Sequence, residues 1–139
     1  MTAEQEAYVR HRLQRARTTL AEAKTLLEAG YLHGTVNRLY YACFHAVCAL
    51  LFTEGKSASK HAGVRAFFDQ GWVKPGRVAV EMGRFYRGIF RRRQEADYGG
   101  PVRLDADEVR LWFDQASDFI AELAQLATRP AAAENPPDS

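Results

Sequence analysis

Val9, Leu13, Ala16, Leu20, Ala23 and Leu27 recur at alternating intervals of four and three residues, and no other feature of the chain restricts its fold so tightly. A residue advances about 100° around an α-helix, so this spacing draws one apolar line along one face. A strand, with its period of two, would send the same residues to both sides. The positions between them are largely charged, so the segment is an amphipathic helix that other elements must cover, with Gly30 as its stop.

The same reasoning predicts four more helices. The second runs from about Thr35, after Gly34, to Phe52, with Val36, Leu39, Tyr40, Cys43, Val47 and Leu50 on one stripe. Tyr41, Phe44 and Phe52 add apolar surface elsewhere, so this helix is expected at the centre of the fold. A third begins near Ser59, a suitable N-cap, turns Val64, Phe67 and Phe68 inward, and ends at Gly71. A fourth spans about Arg77 to Ala96, and the segment from Tyr98 to Pro101 breaks it. The fifth starts at Asp105, with Glu108 three residues on and Leu104 and Val109 placed for a hydrophobic staple. Val109, Trp112, Phe113, Ala116, Phe119, Ile120 and Leu123 then form its inner face. No strand pattern or long linker intervenes, which predicts an all-α, four- to five-helix up-and-down antiparallel bundle over residues 1–128 and a disordered tail over 129–139.

Composition narrows the functional classes. The longest stretch without formal charge, Leu39 to Thr53, is too short to cross a membrane, and the polar N-terminus has no apolar signal core. The expectation is a soluble, cytoplasmic protein with no membrane partner, in which Cys43 and Cys48 stay reduced. The net charge of +2 conceals an asymmetry. Residues 60–93 carry nine Lys/Arg against two acids, an excess of +7, whereas residues 104–139 carry eight acids against two Arg, an excess of −6. Either an anion-binding surface lies on one part of the fold, or the two halves neutralise each other across it. Phosphate-binding loops, metal-ligand spacings and nucleophile elbows are absent, so no metal site and no cofactor are expected.

Three groups of residues could carry chemistry. Arg38 and His45 are seven apart on the second helix, within about 20° of each other around its axis, with Tyr41 close to the same face. A cation, a phenol and an imidazole on an otherwise apolar helix could hold a phosphate or move a proton, or each could be satisfied by a neighbouring helix. Tyr86, Phe90, Arg93 and Asp97 form a stripe on the fourth helix that turns ionic at its end. Arg93 and Asp97 can pair at i, i+4, either as a site or as a structural salt bridge. Arg84, Arg87 and Arg91 recur along another face, where guanidinium groups suit phosphate oxygens and Phe85 and Tyr86 could stack on bases.

Arg38-Leu-Tyr-Tyr-Ala-Cys-Phe-His45, then Lys60-His-Ala-Gly-Val64, then Arg93-Gln-Glu-Ala-Asp-Tyr98 together resemble the HEPN superfamily, in particular small stand-alone members with RxYYAxFHA and RxxADY motifs. The likeness spans about Thr18 to Ala127. It implies a helical bundle that dimerises with a second copy and is partnered by a minimal nucleotidyltransferase in a toxin–antitoxin pair, with RNA or a nucleotide as ligand. Several branches are metal-independent ribonucleases in which an arginine is followed four to six residues later by a histidine. Arg93 matches that arginine, but Asp97 and Tyr98 stand where the histidine belongs, and a carboxylate cannot replace an imidazole as both acid and base near neutral pH. His45, with Arg38, or His61 could supply the missing group from another helix. The resemblance also implies that a partner nucleotidyltransferase can modify a tyrosine near the arginine motif, here Tyr98. The expected site residues are thus Arg93, Asp97, Tyr98 and His45 for chemistry, and Arg38, Tyr41, His61, Arg84, Arg87 and Arg91 for RNA or nucleotide. The contrasting expectation is a non-catalytic helical adaptor that binds only a partner protein.

Overall fold

A computed structural model describes residues 1–129, and the tail expected at 129–139 lies, apart from Arg129, outside the described residues. Its elements are α1 (Ala3–Glu28), α2 (Leu32–Phe52), α3 (His61–Phe68), a single π-helical segment (Asp69–Val73), α4 (Val80–Tyr98) and α5 (Ala106–Thr128). No strand occurs among the described residues, and the helices form an all-α bundle. None of them is long and apolar enough to cross a membrane.

α1 begins with a capping box: Thr2 accepts from the Gln5 amide at 3.1 Å while the Gln5 side chain accepts from the Thr2 amide at 2.8 Å. It stops as expected at Gly30, whose φ of 85° closes the turn. α2 starts three residues earlier than its pattern predicts, at Leu32, so Gly34 lies within the helix rather than before it. The reason is contact. A Cβ at Gly34 would lie 3.2 Å from Leu26 Cδ1, so the glycine lets α1 and α2 approach closely. The buried face of α1 also departs from the expected stripe at one step, where Thr19 is fully buried and Leu20 only half-buried.

α2 packs against α1, α3, α4 and α5, which makes it the central helix its apolar breadth predicts. Around it the aromatic rings form a layer in which Tyr40 stacks on Tyr86 (6.1 Å between centroids) and Tyr86 on Phe119 (5.8 Å), with Phe68 set edge-on to Tyr86 and Phe119. Burying each such ring contributes about 1.5–3 kcal/mol.

The middle of the chain differs most from expectation. α3 starts at His61 with the extended Lys60 before it, and Ser59 makes no capping bond. Gly71 does not stop the chain, which continues through a π-helical turn to bury Trp72. The amides of Arg77 and Val78 then bond to the Trp72 carbonyl, so α4 cannot start until Val80. α5 is capped by Asp105 as predicted, through the Asp107 amide at 3.2 Å, and buries the expected face except that Phe113 stays half-buried. Both cysteines are free, and burial pushes the Cys48 thiol up to about 11 and Cys43 higher still.

Candidate functional site

The ionic end of α4 meets the polar residues of α2. Arg93 is only 7% exposed, which for an arginine requires a compensating environment. Its guanidinium lies 5.0 Å from the Tyr40 ring centre, 5.5 Å from that of Tyr41 and 5.9 Å from that of Tyr98, an aromatic enclosure suited to a cation. Its polar partners are poor. Nη1 donates to the Tyr41 hydroxyl at 3.4 Å and stands 3.7 Å from Asp97 Oδ2, and the buried Nε has no partner among the described residues. A guanidinium carries five N–H donors, so most of the bonding capacity of Arg93 is unused.

Asp97 is held elsewhere, accepting from Asn37 Nδ2 at 3.0 Å. Asn37 Oδ1 in turn accepts from Arg38 Nε (3.1 Å) and Nη2 (2.8 Å), and Arg38 pairs with Glu22 of α1 at 3.4 Å while lying over the Tyr41 ring at 5.3 Å. This chain of bonds fixes the rotamers of Asp97, Arg38 and Tyr41 around Arg93. Asn37 is not distinguishable in the sequence as a bridge, since its role depends on α4 lying across α2.

The imidazole beside Arg93 is that of His61. Its Nδ1 lies 2.6 Å from the hydroxyl of the buried Tyr40, and its ring stands against Phe44, Tyr40 and Tyr41. Burial pushes the Tyr40 phenol up to about 12, so it stays protonated and can donate to or accept from Nδ1. Burial first, then the Arg93 charge, lowers the pKa of His61. Nε2 makes no hydrogen bond among the described residues. His45 lies two turns further along nearly the same face of α2, where its Nδ1 is 2.8 Å from Arg12 Nη1 of α1. The grouping of Arg38, Tyr41 and His45 on one face therefore separates in space, with Arg38 and Tyr41 joining Arg93 and His45 joining Arg12.

The three other α4 arginines expected at the site, Arg84, Arg87 and Arg91, do not converge on Arg93. Arg84 and Arg91 lie about 180° and 160° around the helix from it, beside a groove bordered by Phe85, Leu111 and Trp112, and Arg87 pairs with Asp69 at 3.4 Å. Arg91 stands 3.8 Å from Glu95. No ion pair joins α4 to the acids of α5 among the described residues, so the basic and acidic halves do not neutralise each other through direct contacts. No group of three or more side chains suited to a metal ion occurs among the described residues. Tyr98 is 77% exposed at the open side of the cluster.

A family model described as the HEPN domain matches residues 9–126. A protein of Thermotoga maritima named "UPF0332 protein" is 42% identical over 123 residues, covering 88% of this chain and 93% of the relative. A protein of Methanocaldococcus jannaschii named "Putative toxin" is 36% identical over 114 residues, covering 78% of this chain and 85% of the relative. A second protein of that organism with the same description is 26% identical, covering 78% of this chain and 74% of its own length.

Proposed function

This chain belongs to the HEPN domain family, and on that premise we propose that it is a toxin-like protein that binds the phosphates of RNA or a nucleotide at Arg93, as the helical half of a pair with a minimal nucleotidyltransferase. One observation carries the reading: a nearly buried arginine has an unpartnered Nε and only long contacts to its nearest oxygens. An unmet buried donor costs about 1–3 kcal/mol, and a phosphate oxygen is the partner whose geometry a guanidinium fits best. Tyr41, Tyr98 and His61 surround the position such a ligand would take, and two homologues bear toxin names.

If RNA is cleaved, the roles follow from geometry. Arg93 stabilises charge developing on the phosphoryl oxygens, and His61 Nε2, with Tyr40 behind it, is the proton-transfer group in place of a histidine on α4. Asp97 positions Asn37 and Arg38. A second copy of the chain and the nucleotidyltransferase would approach on the open side, where Tyr98 is the residue available for modification.

The test measures binding of a single-stranded RNA oligonucleotide across a salt series, together with cleavage in chelator. Wild type should bind with an affinity that falls as salt rises, and both affinity and cleavage should be lost in Arg93→Ala. Salt-independent binding, or cleavage that survives this substitution, rejects the assignment. Intact-mass analysis after co-expression with a nucleotidyltransferase and nucleotide should show an adduct on the Tyr98 peptide, and an unmodified peptide rejects that part.

A further inference from the structure

Asp97 is placed to compete for Arg93. It lies one turn further along α4, and a carboxylate at that spacing can close on a guanidinium with bonds of about 2.7–2.9 Å. The structure stops short of that closure. Asp97 Oδ2 stands 3.7 Å from Arg93 Nη1, and the same oxygen accepts from Asn37 Nδ2 of α2 at 3.0 Å. No other hydrogen bond reaches the Asp97 side chain among the described residues. Asn37 in turn cannot reverse its amide. Two Arg38 nitrogens donate to its Oδ1, Nε at 3.1 Å and Nη2 at 2.8 Å. A reversed amide would set its NH2 group against a guanidinium and its oxygen against a carboxylate, so only the observed orientation satisfies both neighbours. Glu22 of α1 anchors Arg38 at 3.4 Å. Asp97 also stands in the last turn of α4, where the unpaired carbonyls of the helix disfavour a negative charge. Released from Asn37, its carboxylate would gain by closing on Arg93, whose buried Nε has no partner among the described residues.

We propose that Asn37 is a positioning residue that keeps the Arg93 site open: its amide, locked by Arg38, holds Asp97 aside and stops that carboxylate from taking the place of a ligand phosphate on the guanidinium. The inference rests on the reading of Arg93 as a phosphate site and adds the control of that site. The cluster then has two arrangements, open with Asp97 on Asn37 and closed with Asp97 on Arg93, and one side-chain bond decides between them. A phosphate bound at Arg93 repels the carboxylate and so selects the open arrangement. Arg38 serves the site through Asn37 rather than by touching the ligand, which accounts for its bonds being spent on Asn37 and Glu22.

Fluorescence anisotropy of a labelled single-stranded RNA oligonucleotide tests the tether in a double-mutant cycle. Asn37→Leu keeps the size of the side chain and removes the amide. RNA affinity should fall about tenfold, the population shift expected when one of two competing positions loses a bond to a charged group. Asp97→Asn removes the competing charge and should tighten RNA binding by about threefold or more. The double variant Asn37→Leu/Asp97→Asn should bind within about twofold of Asp97→Asn alone, because no carboxylate is left to restrain. An asparagine that only supports the fold, or that touches the RNA itself, would keep its loss in the double variant, and that result overturns the proposal. Unchanged affinity in Asn37→Leu also overturns it, and leaves the Arg93 reading intact when Arg93→Met abolishes binding. Should leucine prevent folding, Asn37→Ala runs the same cycle with the same expected rescue. If wild type does not bind, or Arg93→Met binds as wild type does, the phosphate reading falls and the tether falls with it.

Discussion

Replacing Arg93 with methionine separates a ligand-binding arginine from a structural one. Methionine keeps most of the apolar stem that Arg93 buries between α2 and α4 and removes the guanidinium. The removal eliminates an unpartnered buried Nε, a relief of about 1–3 kcal/mol. Against this stand three enclosing rings at 5.0–5.9 Å, worth about 0.5–2 kcal/mol together, and a 3.7 Å ion pair worth at most about 1 kcal/mol. Asp97 is not abandoned, because Asn37 still donates to it at 3.0 Å. The terms nearly cancel, so Arg93→Met should unfold within about 1 kcal/mol of wild type, a melting shift of no more than about 4 °C. RNA affinity should fall tenfold to a hundredfold, the loss of one charge-assisted contact of about 1.5–3 kcal/mol. Urea titration and anisotropy on the same preparation measure both. A stability loss above about 3 kcal/mol would mark a structural ion pair, since breaking a buried pair costs that much, and would refute the reasoning, as would unchanged RNA affinity.

Three further outcomes follow from the packing. His45 is held near 4 in the folded chain against 6.5 when unfolded, so the unfolded state takes up the proton first as pH falls. Stability present above about pH 6.5 should be lost towards pH 4, by about 1–2 kcal/mol once partial solvent exposure is allowed for. Urea midpoints at pH 7.5 and 5 should therefore differ more for wild type than for His45→Gln, and equal differences would contradict this. Thr19 is fully buried with a hydroxyl that has no partner, so Thr19→Val should raise stability by about 1 kcal/mol, and a lower urea midpoint would show a bond that the static structure lacks. Gly83→Ala places a Cβ 2.8 and 2.9 Å from the two Val73 methyl carbons. It should cost about 1–2 kcal/mol despite the gain in helix propensity, and a variant at least as stable as wild type would mean that the π-helical segment yields freely.

The sequence alone determined the parts of this protein that depend on local periodicity. The α1 stripe, the breadth of α2, the Asp105 cap and the inner face of α5 all follow from 3.6-residue spacing and capping chemistry, which act within a few residues. They sufficed for an all-α bundle, and three motifs in order sufficed to point to the family. Where an element's limit depends on a distant neighbour, local pattern failed: Gly34 continues α2 because Leu26 lies against it, and Gly71 is carried through a π-helical turn because Trp72 must be buried.

Only the tertiary structure decided which polar groups share a site. Arg38 and His45 occupy nearly the same angle on α2, yet Arg38 turns to its neighbour Asn37 and to Glu22 while His45 turns to Arg12, because α1 lays Glu22 beside one and Arg12 beside the other. His61 is 32 residues from Arg93 and reaches it through the rings of Tyr40 and Tyr41. A helix fixes the direction in which a side chain leaves its axis. What that side chain meets, how deeply it is buried and whether its donors are satisfied depend on how helices far apart in the chain cross, and no local pattern encodes that crossing.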